Sequence, residues 1–561
     1  MITDELSALI RAAVAAAVAH GDLDVDSSQV EVTLEPPRNR QFGDFACNVA
    51  LVLAGKVGMP PREVARRIAD RLEIDGTIIE QVDIAGPGFL NFRLKPTWLH
   101  DTLLAVEEAD AAYGRNESHA GERVLIEFVS ANPTGPISVV NGRAAALGDT
   151  LGNLLAASGA HVEREFYIND ALNSLQLDHL AASLVARYAQ QLGLDWPMPE
   201  DGYQGEYVVE IARDLVEEHG DALIALPEPE RSQTFRTLAT SRMIEQQRRD
   251  LEAFGVRYDR WFYESSLYET GAVRRAIEQM RARGYAYEKD GALWLRSTAL
   301  AEDDQDRVLV RSNDRETYVA ADAAYHKDKL DRGFTRLIDV WGADHHGYVA
   351  RLKAGIAALG YDPACCEIVL TQMVLLVRDG EPVKGSKRAG DIIPLADLVN
   401  EIGRDAARFH FLLNSYETTA TFDMELAKRQ SNENPVYYAQ YAHARCCNVL
   451  RRASELEVTV RPASGVDLRL LVAPKELELL RKLSEFPAEV QAAADSMAPH
   501  RLTAFVREIG QALHQFYEEC PALKEGVEPE LRDARLALFN ATRIVVRNLL
   551  ALLGVSAPDR M

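Results

Sequence analysis

A strand–helix–strand pattern early in the chain constrains the fold more than any other feature. Residues 124–129 are rich in β-branched and aromatic side chains and predict a strand, and residues 142–157 predict a helix that Gly159 ends. Residues 161–167 predict the next strand. Two strands joined through a helix run parallel in one sheet, with a right-handed crossover. The pattern therefore predicts an α/β domain built on a parallel sheet.

The rest of the chain divides around this domain. Strand patterns recur at residues 337–341 and 367–377, and a helical pattern at 348–359 lies between them. An acidic, mostly helical stretch at about 171–264 is predicted to be an insertion into the sheet domain. The predicted fold class is α/β, with a Rossmann-like parallel-sheet domain at 113–400, an N-terminal α+β domain at 1–112, a connecting helical segment at 401–434 and an all-α C-terminal bundle at 435–561.

The acidic composition excludes some classes of protein. Of the 561 residues, 62 are Lys or Arg and 85 are Asp or Glu, which gives a formal net charge of −23. Nonspecific nucleic-acid binding rests on clustered cations, so this charge argues against a nucleic-acid coat protein and leaves a specific RNA partner open. The sequence has no run of about 18 uncharged apolar residues, so no membrane span is expected. The acidic N-terminus does not resemble a signal peptide.

The cysteines indicate a reducing compartment. Six occur, four of them as two adjacent pairs, and the sequence has no C-x-x-C spacing. This spacing fits neither a zinc site nor a disulfide scaffold. We therefore expect reduced, mostly buried thiols, a cytoplasmic location and no protein-bound structural metal.

The loop within residues 127–143 (EFVSANPTGPISVVNGR) is the first candidate site. The carboxyl end of a parallel strand meets the N-terminus of the next helix at such a loop, and phosphate-bearing ligands bind there. From position alone, the alternative is an ordinary connection between a strand and a helix, capped by proline.

Residues 384–388 (KGSKR) form the second candidate site. Three cations beside glycine can bind a polyphosphate, and the alternative is a solvated basic turn. Residues 380–387 have the order G-x-x-x-x-G-S-K, whereas a P-loop requires G-x-x-x-x-G-K-[ST]. The sequence therefore does not support a P-loop NTPase.

The third candidate site comprises residues 318–322 (YVAAD), 325–327 (YHK) and 342–347 (GADHHG). Its adjacent histidines raise the hypothesis of a metal site, but neighbouring residues usually point apart, and the chain has no H-E-x-x-H pattern. Polar groups at the end of one strand and the start of the next helix suit the sugar of a nucleotide better.

Together these motifs resemble the class I aminoacyl-tRNA synthetases, and specifically the bacterial-type arginyl-tRNA synthetases. Residues 130–136 (SANPTGP) are similar to the first signature of that family, 325–328 (YHKD) and 342–347 are typical of it, and 384–388 resemble its KMSKS loop. The resemblance covers almost the whole chain. It implies a class I catalytic domain with an insertion at the centre of the fold.

Both ends of the chain also resemble this family. Residues 42–46 (FGDFA) and 85–89 (AGPGF) resemble the N-terminal additional domain, which contacts the tRNA elbow. Residues 438–445 (YAQYAHAR) and the C-terminal residues 552–561 resemble the helical anticodon-binding domain. The resemblance therefore implies tRNA contacts on both sides of the catalytic domain.

The implied reaction joins L-arginine to tRNA(Arg) through an arginyl-adenylate made from ATP, with Mg²⁺ accompanying the ATP. Catalysis then consists of positioning and charge neutralisation, without a covalent enzyme nucleophile. The implied catalytic residues are Lys384, Ser386, Lys387, Ser138 and Asn141. The residues implied to bind arginine, a planar cation best met by carboxylates, are Glu127, Ser130, Asn132, Tyr318, Asp322 and His346.

The remaining implied contacts concern ATP and tRNA. The implied ATP-binding residues are Pro133, Thr134, Gly135, Pro136, Gly342, Asp344 and His345, together with Lys384 and Lys387. The implied tRNA-binding residues are Phe42, Asp44, Tyr438, Arg445 and Arg452. The expected partners are tRNA(Arg), L-arginine and ATP, with no membrane, and the expected state is a monomer.

The sequence departs from the family pattern within the first signature. Residues 138–141 read SVVN where the family has His-x-Gly-His, so two imidazole donors are absent and Val140 replaces a glycine that packs against adenine. Ser138 and Asn141 can still donate hydrogen bonds. In the second signature Gly385 replaces a methionine. Two alternatives to the ligase therefore stay open: a tRNA-binding paralogue without ligase activity, and a transferase that places arginine on another acceptor.

Overall fold

The computed structural model describes residues 2–35, 37, 39–171, 174–383 and 393–561. The chain forms two compact units. The first combines the N-terminal residues up to Asp110 with Val449–Ser484 and Gln515–Ala541, and the second combines Ala111–Asn448, Glu485–His514 and Thr542–Met561. Each unit takes residues from the C-terminal helices, and the domain bounds given from the sequence stay a prediction.

The N-terminal part of the first unit is an α+β structure. Its elements are α1 (Ile2–Ala19), β1 (Leu34–Glu35), β2 (Phe45–Cys47), α2 (Val49–Val57), α3 (Pro61–Ala69), β3 (Ile79–Ala85), β4 (Phe89–Leu94) and α4 (Thr97–Ala109). The strands pair antiparallel in the order β1-β2-β4-β3. In α1 the residues Leu6, Ile10, Ala13 and Ala17 recur at helical spacing and are buried, so one face of the helix packs inward.

The second unit begins with the predicted strand–helix–strand pattern. Its first elements are β5 (Arg123–Phe128), α5 (Val139–Ala157), β6 (His161–Ile168), α6 (Leu175–Gln191), α7 (Glu206–His219), α8 (Glu230–Ala253) and β7 (Arg260–Tyr263). The three helices between β6 and β7 share a core around Tyr188 and Phe235. The helical insertion predicted at about 171–264 therefore ends earlier, because β7 is a strand of the main sheet. Its four residues are too few to show a strand pattern within an acidic segment.

The next elements complete the sheet. They are α9 (Ser265–Glu269), α10 (Ala272–Ala282), β8 (Ala286–Lys289), β9 (Ala292–Leu295), β10 (Arg307–Val310), α11 (Tyr318–Asp331), β11 (Arg336–Gly342), α12 (Val349–Leu359) and β12 (Cys366–Thr371). The parallel sheet has the order β12-β11-β5-β6-β7, and β8, β9 and β10 form a separate antiparallel sheet. In this sheet β6 and β7 follow on one side of β5, and β11 and β12, which come later in the chain, lie on its other side. Ligands bind at such a switch point in open parallel sheets.

The predicted strand at 367–377 is two strands. Residues up to Thr371 belong to β12, and β13 (Val374–Arg378) pairs instead in a small sheet. The break lies at Gln372, whose N–H donates to the Tyr416 carbonyl and whose carbonyl accepts from Arg143. A continuous apolar run does not reveal such a break, because both strands are partly buried.

The remaining elements are mostly helical, as predicted. They are β14 (Glu381–Pro382), α13 (Leu395–Ile402), α14 (Arg404–Leu412), β15 (Ala420–Asp423), α15 (Met424–Lys428), α16 (Pro435–Glu455), α17 (Pro474–Asp495), α18 (His500–Glu519) and α19 (Pro529–Leu552). The small sheet has the order β14-β13-β15. Within the described ranges, none of the helices has the length and apolar character needed to cross a membrane. The predicted fold class, a parallel-sheet α/β domain with an N-terminal α+β part and a helical C-terminal part, is confirmed.

Candidate active site

The chain turns sharply where β5 ends. Val129 and Ser130 have φ angles of 70° and 39°, in the left-handed region that is unfavourable for a β-branched residue. The Ser130 hydroxyl donates to Glu127 Oε1 at 2.9 Å and accepts from the Tyr167 N–H at 3.1 Å. Backbone strain of this kind persists only where surrounding contacts hold it, and it concentrates at functional sites. The turn therefore marks the carboxyl end of β5 as a candidate site.

The loop that follows is attached to the helices of the insertion. Gln247 on α8 donates from Nε2 to the carbonyls of Asn132 and Gly135, both at 2.9 Å. The Tyr207 hydroxyl on α7 donates to the Thr134 carbonyl at 2.9 Å. The loop thus has a fixed path before it enters α5. It contains the predicted ATP-binding residues Pro133, Thr134, Gly135 and Pro136.

Ser138 and Asn141 form the N-terminal capping box of α5. The Ser138 hydroxyl donates to Asn141 Oδ1 at 2.7 Å and accepts from the Asn141 N–H at 3.4 Å, and the Ser138 N–H also donates to Oδ1. This pairing uses groups that were predicted to act on a triphosphate, and their catalytic role stays a prediction. Val140, which is 54% exposed, projects from the same turn.

Two adjoining cavities lie at the carboxyl edge of the main sheet, the inner one at the switch point between β5 and β11. The inner cavity has a volume of about 300 Å³, and it is lined by the ends of both strands, the first turn of α5 and one face of α11. The outer cavity has a volume of about 670 Å³, and its walls include the residues after β6 and β7 and the turn before α11. Tyr167 and Asp322 line both cavities.

Two carboxylates line the outer cavity, and one of them, Asp322, also lines the inner cavity. Asp322 on α11 accepts a short hydrogen bond from the Tyr348 hydroxyl, and burial raises its pKa to about 6 although that hydrogen bond lowers it. Glu264 follows β7 directly and is buried. Burial, together with repulsion from Asp322, raises the pKa of Glu264 to about 7. Two acids held close together without a salt bridge to any described residue form a site for a cation.

Glu127, by contrast, already has a cationic partner. Asp339 and Glu127 are register partners on β11 and β5, and Lys329 of α11 binds both: its Nζ lies 2.9 Å from Asp339 Oδ1 and 2.6 Å from Glu127 Oε2. His326 Nε2 lies 2.7 Å from Asp339 Oδ2. Burial alone would lower the pKa of Lys329, but the two carboxylates raise it. Glu127 lines the inner cavity with Asp322 and shares the cation of Lys329 with Asp339; its contact with arginine stays a prediction.

Glu264 was missed from the sequence. It was assigned to the end of the helical insertion, because the four-residue strand before it was not recognised. The useful signal was an acid immediately after the aromatic segment 261–263 (WFY). Had that segment been taken as a strand, the rule that placed Glu127 and residues 342–347 at the ligand edge would have placed Glu264 there too.

The other predicted small-ligand residues distribute between the two cavities. Tyr318 and Asn132 line the outer cavity, where Asn132 Nδ2 donates to Gln176 Oε1 at 2.9 Å. Gly342 and His345 line the inner cavity. Asp344 and His346 are exposed on the same 3₁₀ turn, Ala343–Tyr348, and neither belongs to the lining of these two cavities.

The predicted lysine loop falls outside the described residues, including Lys384, Ser386 and Lys387. The residues just after it are described. The Val139 N–H donates to the Ile393 carbonyl at 2.9 Å, and the Leu395 N–H donates to the Ile137 carbonyl at 2.7 Å. The chain beyond the loop is therefore joined to the first turn of α5, beside the inner cavity.

The predicted tRNA-binding residues of the N-terminal part differ in exposure. Phe42 is 57% exposed, as a base-stacking residue must be. Asp44 is buried: its carboxylate accepts from the Leu94 N–H and from Arg481 Nη2, both at 2.9 Å. Gly43 between them has a φ of 127°, and a Cβ there would lie 2.6 Å from the Phe92 carbonyl oxygen. The buried carboxylate of Asp44 thus holds the turn, and its contact with tRNA stays a prediction.

The predicted tRNA-binding residues of α16 form a partly open aromatic and basic surface. The Arg445 guanidinium lies 4.8 Å from the centre of the Tyr441 ring, and its Nη1 lies 2.9 Å from His514 Nδ1. Tyr438 is half-buried against Gly510, where a Cβ would lie 2.8 Å from its ring. Arg452, further along the helix, is exposed and pairs with Glu455 at 3.0 Å.

Three models of known domains match the chain in succession. Residues 4–94 match the arginyl tRNA synthetase N terminal domain, residues 105–428 match the catalytic domain of tRNA synthetases class I (R), and residues 439–561 match the DALR anticodon binding domain. The second match alone covers more than half of the chain.

Whole proteins also match over their full length. The arginine–tRNA ligase of Heliobacterium modesticaldum is 49% identical over 532 residues, which cover 94% of this chain and 93% of the relative. That of Bacillus subtilis is 44% identical over 563 residues, with 100% of both chains covered. The arginyl-tRNA synthetase structure of Thermus thermophilus has a TM-score of 0.73 with 100% of both chains covered, and at 22% identity this likeness shows the fold.

Proposed function

Because the chain belongs to the class I arginyl-tRNA synthetases, we propose that its two adjoining cavities hold arginine and ATP for the arginine–tRNA ligase reaction. The enzyme activates L-arginine with ATP to arginyl-adenylate and diphosphate. It then transfers the arginyl group to the 3′-terminal ribose of tRNA(Arg) and releases AMP. The observation that carries the proposed site is the carboxylate pair Asp322 and Glu264, which lines the outer cavity.

The carboxylate pair matches the chemistry of a guanidinium. That group is planar, keeps its charge at every physiological pH and donates hydrogen bonds in a fork that carboxylates meet from two sides. Asp322 is held in orientation by Tyr348, and Glu264 approaches from the neighbouring strand β7. Tyr318, at the start of α11, lines the same outer cavity and offers a hydroxyl. We assign the guanidinium to this pair and the α-amino end of arginine to Ser130 and Asn132.

The inner cavity suits the nucleotide. Its lining includes Gly342 and His345 at the end of β11 and Val140 and Asn141 at the first turn of α5, where the helix dipole favours phosphate. Magnesium enters with the ATP phosphates as part of that substrate. Because Ser138 and Asn141 are occupied in the capping box, we assign neutralisation of the diphosphate chiefly to Lys384 and Lys387, with Ser386 as a donor.

No covalent enzyme intermediate is needed. The arginine carboxylate attacks the α-phosphorus of ATP and diphosphate leaves; a ribose hydroxyl of tRNA then attacks the arginyl carbonyl and AMP leaves. The protein contributes orientation of the reacting groups and cations at the growing negative charge. Phe42, Tyr438, Arg445 and Arg452 are proposed to contact the tRNA.

The alternative of a tRNA-binding paralogue without ligase activity is not favoured. Two acids whose pKa values are raised by burial lower the free energy of unfolding when they ionise, unless a cationic ligand binds them. A chain that only bound tRNA would have no physical reason to keep them. We further propose a monomer that acts in the cytoplasm, which agrees with six free cysteines.

Aminoacylation with labelled arginine, ATP and tRNA tests the function. Charging of tRNA(Arg) that needs all three components is expected, and tRNA binding without charging would indicate the paralogue. Charging should be specific for arginine over citrulline, its neutral isostere, because only the guanidinium satisfies both carboxylates.

Asp322→Asn and Glu264→Gln test the site. Each should raise the KM for arginine at least about thirtyfold, since breaking a buried charge pair costs about 2 kcal/mol or more, and each should reduce the preference over citrulline. Asp331→Asn is the matched control, because Asp331 lies on the same helix but pairs with Lys327 at an exposed position. An unchanged KM in Asp322→Asn would remove the guanidinium assignment.

A further inference from the structure

Three carbonyl groups of the loop that leads into α5 are bound by side chains of the helical insertion. Gln247 on α8 donates from Nε2 to the carbonyls of Asn132 and Gly135, both at 2.9 Å. The Tyr207 hydroxyl on α7 donates to the Thr134 carbonyl between them, also at 2.9 Å. Gln247 is only 1% exposed, so two of the three carbonyls are held by a buried amide.

The sequence explains why one glutamine suits these two carbonyls. Asn132 and Gly135 each precede a proline, since residues 132–136 read NPTGP. A peptide group that ends in proline has an acceptor but no N–H, and a buried acceptor without a partner is costly. The two N–H groups of the Gln247 amide match the two acceptors.

Packing alone does not account for Gln247. Its Oε1 is buried and has no hydrogen-bond partner within the described part of the chain. The amide thus satisfies two loop carbonyls but leaves its own oxygen unpaired, and an unpaired buried polar atom in a folded protein requires an explanation. What the side chain contributes is the direction of its two N–H groups.

These bonds fix which way the loop carbonyls point. Neither Gln247 nor Tyr207 lines the inner or the outer cavity, so the carbonyls bound to them point at protein groups and not into either cavity. The peptide between Thr134 and Gly135 is trans, so its N–H points to the side opposite the carbonyl that Tyr207 binds. Carbonyl oxygens repel phosphate oxygens, whereas backbone N–H groups attract them. The orientation of the loop therefore bears on how well it binds a phosphate.

We propose that Gln247 and Tyr207 are positioning residues for ATP, because they turn the acceptors of the loop toward the insertion and leave its other side to the nucleotide phosphates. Both act through the loop and not by touching ATP. This proposal rests on the assignment of ATP to the inner cavity and to residues 133–136. It gives the helical insertion a part in ATP binding.

Gln247→Met tests the proposal, because methionine fills a similar volume without a donor. Loss of both bonds lowers the population of the loop conformation that binds ATP, so the KM for ATP should rise about tenfold. The KM for arginine should rise far less, because Asp322 and Glu264 stay in place. Aminoacylation at saturating tRNA measures both constants, each with the other small substrate saturating. The matched control is Gln233→Met at an exposed position of α8, which should leave both constants unchanged.

Two further variants separate positioning from stability. Tyr207→Phe removes one hydroxyl, and it should raise the KM for ATP about threefold and leave the KM for arginine unchanged. In Gln247→Glu, the ionised side chain presents only acceptors to the two carbonyls, whereas the protonated form donates to one of them. Its KM for ATP, divided by that of the wild type at the same pH, should therefore be smaller at about pH 6 than at about pH 8. Thermal melting checks that each variant is folded.

Three results would overturn the proposal: an unchanged KM for ATP in both Gln247→Met and Tyr207→Phe, an equal rise in the KM for ATP and for arginine in Tyr207→Phe, or a relative KM of Gln247→Glu that does not vary with pH. Failure of the ligase function would look different, because the wild-type enzyme would then bind tRNA without charging it.

Discussion

Glu264 and Asp322 are the two carboxylates to which we assign the guanidinium of arginine. Neither has a salt bridge to a described residue. Burial raises the pKa of both, and repulsion from Asp322 adds to the rise for Glu264, as repulsion from Glu127 does for Asp322. Asp322 could be assigned from the sequence, since its motif resembles that of a known family. Glu264 was not assigned, because the four-residue strand before it was not recognised in the sequence.

Arginine binding is expected to strengthen as the pH rises. With pKa values of about 6 and about 7, both carboxyl groups are mostly protonated below pH 6 and ionised above pH 7, while the guanidinium keeps its charge. The KM for arginine should fall about tenfold or more between about pH 5.5 and about pH 8 and then level off. Steady-state aminoacylation at saturating tRNA and ATP measures it. A KM that does not vary with pH would contradict the assignment.

Glu264→Gln is expected to stabilise the ligand-free protein at high pH. A carboxyl group whose pKa is raised on folding, here from 4.5 to about 7, is most favourable to the fold when protonated. Its contribution to the free energy of unfolding therefore decreases as the pH rises through that interval. Glutamine stays neutral and avoids a loss of at most about 3 kcal/mol. Urea unfolding at pH 5 and pH 8 should show the gain only at pH 8; an equal effect at both values would rule out this explanation.

At the scale of single elements, the patterns in the sequence predicted strands and helices, but they did not predict the individual contacts that break or cap them. The pattern from β5 to β6 was enough to predict a parallel sheet and its ligand edge. The split between β12 and β13 was not predictable, because it depends on bonds from Gln372 to distant residues. The capping box was equally hidden: residues 138–141 were interpreted by comparison with a family signature, although Ser followed three residues later by Asn fits a helix cap.

Ser138→Ala should act mainly on the stability of α5. Loss of an N-cap side chain costs about 1 kcal/mol, so the melting temperature should fall while kcat drops far less than the roughly hundredfold expected for a lost transition-state donor. Calorimetry and aminoacylation of the same preparation separate the two roles. Ser138→Thr is the control, since threonine keeps the hydroxyl. A hundredfold loss of kcat without destabilisation would restore the catalytic interpretation.

Lys329 joins α11 to the centre of the sheet, and its removal should be strongly destabilising. Lys329→Met leaves Glu127 and Asp339 buried with one cation fewer, and such a loss typically costs about 3–5 kcal/mol. The matched control is Lys327→Met on the same helix, which breaks a partly exposed pair with Asp331 and a contact with the Tyr361 hydroxyl and should cost under about 1 kcal/mol. Urea unfolding compares the two. Equal losses would mean that the buried contacts of Lys329 with Glu127 and Asp339 do not hold α11 against the sheet.

At the scale of the whole molecule, the parallel connection of β5 and β6 was predictable. The complete order of the main sheet and its packing were not, because β7 was not recognised as a strand. Sequence patterns indicate which segments are strands, and the rule for parallel connections limits their order. They do not indicate which charges pair at the centre of the sheet, since Glu127, Lys329 and Asp339 meet only after three separate segments pack together. The net charge of −23 was similarly uninformative about RNA, because binding depends on local groups of arginines and not on the sum.

Asp322 lines both cavities, and this shared position links their occupants. A cation that settles against it from the outer side lowers its pKa and favours its ionised form, which changes the electrostatic potential on the inner side. A phosphate arriving from the inner side alters, in turn, how readily that proton leaves. Thermodynamic linkage requires the two influences to be equal, so the affinity for each small substrate depends on the presence of the other. Through this side chain the coupling opposes joint binding, because the ionised carboxylate attracts the cation and repels the phosphate.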